Sequence, residues 1–316
     1  MSAGAPTDDE IAGCLEGTGV VRIDRRPYAY ATSYPLEEIT VLCDDGCTLH
    51  LILKDLTWER LLGDARRTKP RLLYEPRRCI ETYRRVLAGS GVGAGCHGAF
   101  TDDRSGRHWV LIDKVAGVEL WQIGDFGVWE SVARWLARFH RHFGAEGEQV
   151  LRRNPHLLTY GPDYLRIWPT RALDAVGDEL AGIVAGYDRV VERLAAVPPS
   201  FVHGELYPSN VLVDVSGEGV AVWPIDWEMA GIGPPLLALA ALTAGWEGAE
   251  QAKLVDAYLD ELGPAAAPDG ADELLDCCRL HYAMQWLGSS ADWSPPPEHA
   301  RDWVSEAVRL GARLGL

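Results

Sequence analysis

The hydrophobic period of this chain changes partway along it, and that change limits the folds open to it. Up to about residue 116 apolar residues alternate with polar ones, the period of strands; from Phe126 they recur every three or four residues, the period of helices. In "EEITVLCDDGCTLHLILKDL" two β-rich runs, around Ile39–Leu42 and Thr48–Lys54, flank Asp44-Asp45-Gly46, a strong hairpin signal. Leu49, Leu51 and Leu53 alternate there with Thr48, His50, Ile52 and Lys54. A helix fits "EPRRCIETYRRVLAG", with Pro76 early and Gly89 at its end. A second strand pair follows at Gly98–Thr101 and His108–Val115, with "DDRSG" as its turn. Beyond the change of period, "FGVWESVARWLARFHRHFG" sets Val128, Val132, Trp135, Leu136, Phe139 and Phe143 on one helical face. A second helix, "LAGIVAGYDRVVERLAAVPP", is ended by prolines, and "SFVHGELYPSNVLVDVSGEGVAVWPIDWEMAG" reverts to short strands with a tight turn at "SGEG". Only helices follow, over Pro235–Ala244, Ala249–Leu262, Asp272–Leu287 and Ala300–Leu314. The pattern predicts an α+β protein of two parts, a β-rich 1–116 and a mostly helical 117–316, with no internal repeat.

Length agrees, since 316 residues are too many for one small core. The formal charge of −16 argues against nucleic acid or an anionic membrane as a partner. It suits a cationic substrate or simply a solubilising surface. Arginine supplies most of the positive charge, so each lysine (Lys54, Lys69, Lys114, Lys253) stands out. The seven cysteines are scattered; Cys43 and Cys47 lack a second pair at zinc-ligand spacing, which predicts reduced structural thiols in a cytosolic protein. "MSAGAPTDDEIAG" has neither the basic nor the apolar region of a signal peptide. The most apolar stretch, Gly231–Trp246, is too short to span a bilayer and opens on Pro234-Pro235, as a core helix with proline in its first turn would. A cytoplasmic location is expected.

The chemistry lies where the strands return. Glu205 and Asn210 sit five apart in a loop running into "VLVDV", and Asp226 ends the next strand, "VAVWPID". Two adjacent strand ends would bring two carboxylates and an amide oxygen together, and such hard oxygen donors suit Mg²⁺. Phosphoryl transfer asks for this set: a carboxylate for the attacking hydroxyl, an Asn and an Asp for the metal, and a cation for the phosphates, which Lys54 can supply.

His203-Gly204-Glu205 followed by Asn210, then Ile225-Asp226-Trp227-Glu228, resembles the signature of aminoglycoside phosphotransferases and their choline-kinase-like relatives. That pattern is His-Gly-Asp, four residues, Asn, then Ile-Asp-Trp/Phe-Glu, and the resemblance extends over roughly Pro35–Ala244. It implies a two-lobed protein-kinase-like fold and ATP with Mg²⁺ as cofactors. By position it implies that Lys54 binds the α/β-phosphates and that the backbone of Leu111–Val115, with Asp113 and Val115, pairs with the base as a hinge. Asn210 and Asp226 would ligate Mg²⁺, Glu205 would stand where the catalytic base stands, and His203 would brace the loop. "RRPYAYATSYPLEE" would cover the phosphates with Ser33 and Thr32 as hydroxyl donors; it has no Gly-rich pattern, and the "GTG" at Gly17–Gly19 lies upstream of it. Three positions depart from the pattern. Glu205 replaces an aspartate. The acidic partner of Lys54 is expected to be Glu81, where Cys79 and Ile80 occupy the usual place and Glu75 is the other acid nearby. Ala238 stands near a position usually held by an aspartate that supports the loop.

Other residues read more simply. His140 and His142 suit solvated or capping roles, and His281 a satisfied interior one. Trp168, Trp286 and Trp293 with Tyr160 and Tyr164 are packing residues or the lining of an acceptor pocket; Asp163, Asp292, Glu298 and Asp302 are surface acids or attractors of a cationic acceptor. Glu228 helps hold the metal site or caps a turn. Three functions follow in order: a phosphotransferase acting on a hydroxyl of a small molecule, aminoglycoside-like or another natural product; a kinase for Ser/Thr of a peptide in a biosynthetic pathway; and a pseudokinase scaffold for a partner enzyme.

Overall fold

The computed structural model describes residues 4–316 apart from positions 16, 30, 32, 64, 145, 146 and 291–299. The alternation of the first third becomes an antiparallel sheet of β1 (Val20–Pro27), β2 (Leu36–Cys43), β3 (Thr48–Asp55), β4 (Cys96–Asp102) and β5 (Arg107–Asp113), in spatial order β1-β2-β3-β5-β4. The β2–β3 hairpin forms with Leu51 opposite Ile39 and Lys54 opposite Leu36. Because strand side chains alternate between faces, Leu51 and Leu53 share one face. There they pack with Ile39, Val41, Trp109, Leu111 and Ile11, each buried Leu contributing roughly 1.5–3 kcal/mol. Lys54, next in β3, is set on the other face, and β2 and β5 flank it.

Two N-terminal elements were not anticipated. A helix over Asp8–Cys14 starts with a capping box between Thr7 and Glu10, and Arg107 grips the Glu10 carboxylate with two hydrogen bonds of 2.6 and 2.8 Å. That guanidinium, with the Thr7 backbone N–H, lowers the Glu10 carboxyl to about 2. Strand β1 takes up Arg25–Pro27, residues expected in a loop covering phosphates. As an edge strand it shows charge rather than alternation, because Arg25 and Arg26 pair across the ladder with Glu37 and Glu38. Residues 28–35 alone connect β1 to β2. The helix over Pro76–Glu81 continues as a π-helical turn, Thr82–Val86, and Gly89 follows in the left-handed region (φ +72°).

The chain divides into two compact units, Met1–Ala116 and Gly117–Leu316. In the second unit the Phe126–Gly144 helix packs against the Gly248–Leu262 helix and against β8 (Ser200–Val202). Its strands form two small sheets. One has β6 (Val118–Glu119), β9 (Val211–Asp214) and β10 (Ala221–Pro224) in the order β10-β9-β6; the other has β7 (Leu158–Thr159), β8 and β11 (Gly231–Gly233) in the order β7-β11-β8. The Ala271–Ser289 helix packs against the Ile167–Val176, Leu236–Thr243 and Trp303–Leu314 helices. No described helix is long and apolar enough to cross a membrane.

None of the seven cysteines is in a disulfide. The β2–β3 turn gathers Cys43, Asp45 and Cys47 within 4.8 Å of one another, three donors where a structural zinc takes four.

Candidate active site

The segment His203–Asn210 leaves β8 and enters β9, and backbone atoms do most of the work of shaping it. The His203 ring lies 2.7 Å from the Ile225 carbonyl oxygen through Nε2, and the Glu205 N–H donates to its Nδ1 at 3.3 Å. A carbonyl only accepts, so Nε2 carries the proton and Nδ1 is the acceptor: the neutral tautomer satisfies both contacts. Gly204 has φ +89°, and a Cβ there would collide with the Tyr160 hydroxyl and the Met229 carbonyl. Glycine is required on both counts. Tyr160 Oη in turn donates to that Met229 carbonyl at 2.6 Å.

Asn210 closes the loop. Its Nδ2 donates to the Glu205 carbonyl at 2.9 Å, and its own carbonyl accepts from the Ile225 N–H at 2.9 Å. With the amide nitrogen committed, Oδ1 is turned to act as an acceptor, the atom a hard cation binds. The Glu205 carboxylate accepts from the Tyr207 hydroxyl at 3.3 Å. Burial first, and then the Glu205 charge, push the Tyr207 phenol well above its ordinary value, so it remains a donor. Asp226, one residue past the braced Ile225, has φ +65° and ψ +64°; among the described residues it is the one non-glycine with positive φ. Such a conformation costs of order 1–2 kcal/mol, and strain of this kind gathers at functional sites.

Beneath the loop lies an aromatic platform. Trp227 stacks on Phe201 with ring centroids 5.5 Å apart and planes 4° off parallel, and the His203 centroid is 4.4 Å from it. The Trp227 indole N–H donates to the Pro224 carbonyl at 3.1 Å. Ala238 is buried in the Leu236–Thr243 helix. Where an aspartate was expected to support the loop, His203 and the platform support it.

In the N-terminal unit Lys54 is buried, its Nζ 5.3 Å from the centroid of Tyr34; Lys69 lies 5.1 Å from the same ring. Glu81, expected as the partner of Lys54, is held by Arg85 at 2.7 Å and Arg84 at 3.4 Å, one helical turn along its own helix. The Asp113 carboxylate lies 2.6 Å from His97 Nε2 and accepts from the Gly95 N–H at 2.9 Å, so its side chain shapes the end of β5. The Lys114 N–H is taken by the His50 carbonyl, whereas the Val115 N–H donates to no backbone carbonyl among the described residues. Ser33 accepts at its carbonyl from the Leu62 N–H; Thr32 lies outside the described residues.

The remaining candidates separate by burial. His140 is neither solvated nor a cap: it is buried, 2.8 Å from the Tyr258 hydroxyl through Nδ1, and burial lowers it to about 3. His281 is an interior histidine, 2.9 Å from the Tyr187 hydroxyl and lowered to about 3 by burial. His142 is exposed. Tyr160, Tyr164 and Trp168 are buried packing residues in successive edge-on contacts. Trp286 packs on Tyr207 at 5.4 Å. Asp302 caps the last helix through the Ser305 N–H, Asp163 is exposed in a short helix, and Glu228 is buried. Asp292, Trp293 and Glu298 lie outside the described residues.

A pocket of about 250 Å³ opens beside Pro208 of the loop, lined by Trp121, Trp129, Trp246, Tyr282, Arg301 and Trp303. Trp168 and Trp286, which the sequence offered for an acceptor pocket, are not among its lining residues. These five rings are scattered over some 180 residues, and the one local signal is Phe126 and Trp129 three apart on a helix, both meeting Trp246 edge-on at 4.9 and 5.2 Å.

The model of a family described as the phosphotransferase enzyme family matches residues 56–274. No curated protein matches significantly. Among solved structures the chain is similar to the choline kinase LicA from Streptococcus pneumoniae, with TM-score 0.60 and 12% identity over 93% of this chain and 94% of that one. It is similar also to a microcompartment-associated aminopropanol kinase, with TM-score 0.60 and 17% identity over 96% and 94%. The GDP complex of wild-type aminoglycoside 2'-phosphotransferase-IIIa aligns with TM-score 0.56 and 12% identity over 93% and 92%. At these identities the likeness is one of fold: a β-sheet N-terminal part and a helical C-terminal part, as in protein kinases.

Proposed function

Since this chain belongs to the phosphotransferase enzyme family and so transfers phosphate to an alcohol, we propose that it uses ATP and Mg²⁺ to phosphorylate a hydroxyl of a small molecule. The observation that carries this reading is Asp226 held at φ +65° beside a loop whose Asn210 has its amide nitrogen committed and its Oδ1 available. Strain is tolerated at a carboxylate when the direction of that carboxylate matters.

In this reading Asn210 Oδ1 and the Asp226 carboxylate hold Mg²⁺, which when bound offsets the charge of the nucleotide phosphates. Lys54, on the central strand of its sheet, binds the α/β-phosphates. The backbone at Asp113–Val115 takes the base, with the Val115 N–H as donor, and the Ser33 segment covers the phosphates. Glu205 accepts a hydrogen bond from the acceptor hydroxyl, aligns its oxygen for in-line attack and takes the proton late in a loose transition state. His203 positions Glu205 through its backbone N–H and Asp226 through Ile225.

The glutamate is compatible with this role. An ångström of misplacement can cost ~100-fold, but here the added methylene is restrained at both ends: the backbone by His203 and Asn210, the carboxylate by Tyr207. Ordinary Glu and Asp differ by only about 0.4 in pKa, so proton affinity hardly changes. Two measurements test the reading. ATP with Mg²⁺ should raise the melting temperature, and Asp226→Asn should lower ATP turnover by about 10³-fold with the fold intact, comparable to losing one preorganised charge contact. No stabilisation by ATP and Mg²⁺ would remove the reading.

A further inference from the structure

The pocket beside Pro208 has a chemistry of its own. At about 250 Å³ it falls below the ~300–1,000 Å³ of clefts for drug-sized ligands, so it suits a compact metabolite. Its walls are ring faces and edges: Trp303 meets Tyr282 edge-on at 5.4 Å, and Trp246 meets Trp129 at 5.2 Å. Such walls attract either a flat apolar body or a cation.

The charges decide between these. The lining holds one cation, Arg301, and no carboxylate among the described residues, in a chain with 46 acidic residues and a net charge of −16. Arg301 lies over Trp303 at 5.7 Å from the ring centroid, so the electron-rich face that would hold a ligand cation already has one from the protein. Its ion pair with Glu247 is long, 3.4 Å, and Glu247 is 88% exposed; a solvated pair of this kind is weak and yields readily to a ligand anion.

We infer that this pocket binds the phosphate acceptor and selects a small alcohol with a planar apolar body and a carboxylate, in preference to polycationic sugars or quaternary ammonium compounds. The inference rests on the phosphotransfer reading of the loop. Tyr207 links the two, donating to Glu205 at 3.3 Å while its ring lies 5.8 Å from that of Tyr282. In the reaction the acceptor oxygen bonds to the γ-phosphorus, the bond from that phosphorus to the β–γ bridging oxygen breaks, and ADP leaves with the electron pair. The hydroxyl proton goes to Glu205. The acceptor's carboxylate pairs with Arg301 and its flat body lies among the rings.

The test uses the pocket's own tryptophans. Full-length protein is titrated with phenyllactate, choline and kanamycin separately, following tryptophan fluorescence, and stabilisation by ATP and Mg²⁺ is measured on the same samples. Phenyllactate should quench saturably and bind at least tenfold more tightly than choline or kanamycin, and Arg301→Glu should weaken it at least tenfold without altering the ATP response. The inference is overturned if phenyllactate does not bind, if either cation binds as tightly, or if Arg301→Glu leaves phenyllactate affinity unchanged. Stabilisation by ATP without anion selectivity sinks the pocket inference and spares phosphotransfer. Anion selectivity without any response to ATP sinks the phosphotransfer reading, and the acceptor assignment with it.

Discussion

The two units hold their key residues in opposite ways. Around His203–Asn210 in the C-terminal unit the restraints run to backbone atoms: the Ile225, Glu205 and Met229 carbonyls and the Glu205 N–H. In the N-terminal unit charged side-chain pairs join elements as well, Arg107 to Glu10, Arg25 to Glu37 and Arg85 to Glu81, beside backbone contacts such as the Gly95 N–H to Asp113. The Glu205 backbone is held at its own N–H by the His203 ring and at its carbonyl by the Asn210 amide, contacts that do not use the Glu205 side chain and so are open to a glutamate as to an aspartate. Charge pairs depend on protonation and salt. They pin elements together without dictating local backbone shape.

The sharpest way to break this contrast is Gly204→Ala. The added methyl meets the Tyr160 hydroxyl and the Met229 carbonyl at a positive φ, so stability should fall by about 3 kcal/mol, read by urea denaturation. A loss under about 1 kcal/mol would show that the loop yields and its backbone frame is soft.

A smaller effect belongs to acid. Glu10 is lowered from 4.5 to about 2 in the folded chain, so its contribution is present above pH ~4.5 and fades as pH falls toward 2. The pair is partly solvated (side-chain exposures of 20% and 30%), and screening leaves about 1 kcal/mol. Glu10→Gln should therefore destabilise at pH 6 and hardly at all near pH 2.5. Hydrogen exchange should show the Asp8–Cys14 helix opening in acid before the amides of residues 203–210 do; the reverse order would contradict the comparison.

What the sequence revealed follows the same division. "HGELYPSN" and "IDWE" were legible because their geometry is local: a loop between two strands consecutive in sequence, with partners about twenty residues apart. The β2–β3 hairpin was legible through Asp-Asp-Gly and alternating leucines. Strand β1 was not, because an edge strand carrying Arg25 and Arg26 reads as a polar loop until Glu37 and Glu38 are seen opposite. The Ile167–Val176 helix contains Pro169 near its start and follows another proline-led turn, which hid its period. Helical spacing also brings Arg84 and Arg85 to Glu81, a pairing within one helix that the search for a partner of Lys54 passed over. The pocket was invisible because Trp121, Trp246 and Trp303, far apart in sequence, line one cavity only once the chain has packed.

The central claim is that Glu205 is a positioned catalytic carboxylate and not the remnant of an aspartate site. The direct measurement is kcat of Glu205→Asp, with ADP release as readout and the melting temperature as control for folding. Shortening the side chain draws the carboxylate away from the Tyr207 hydroxyl, and kcat should fall by about tenfold or more. A kcat equal to or above that of the unaltered protein would contradict the account.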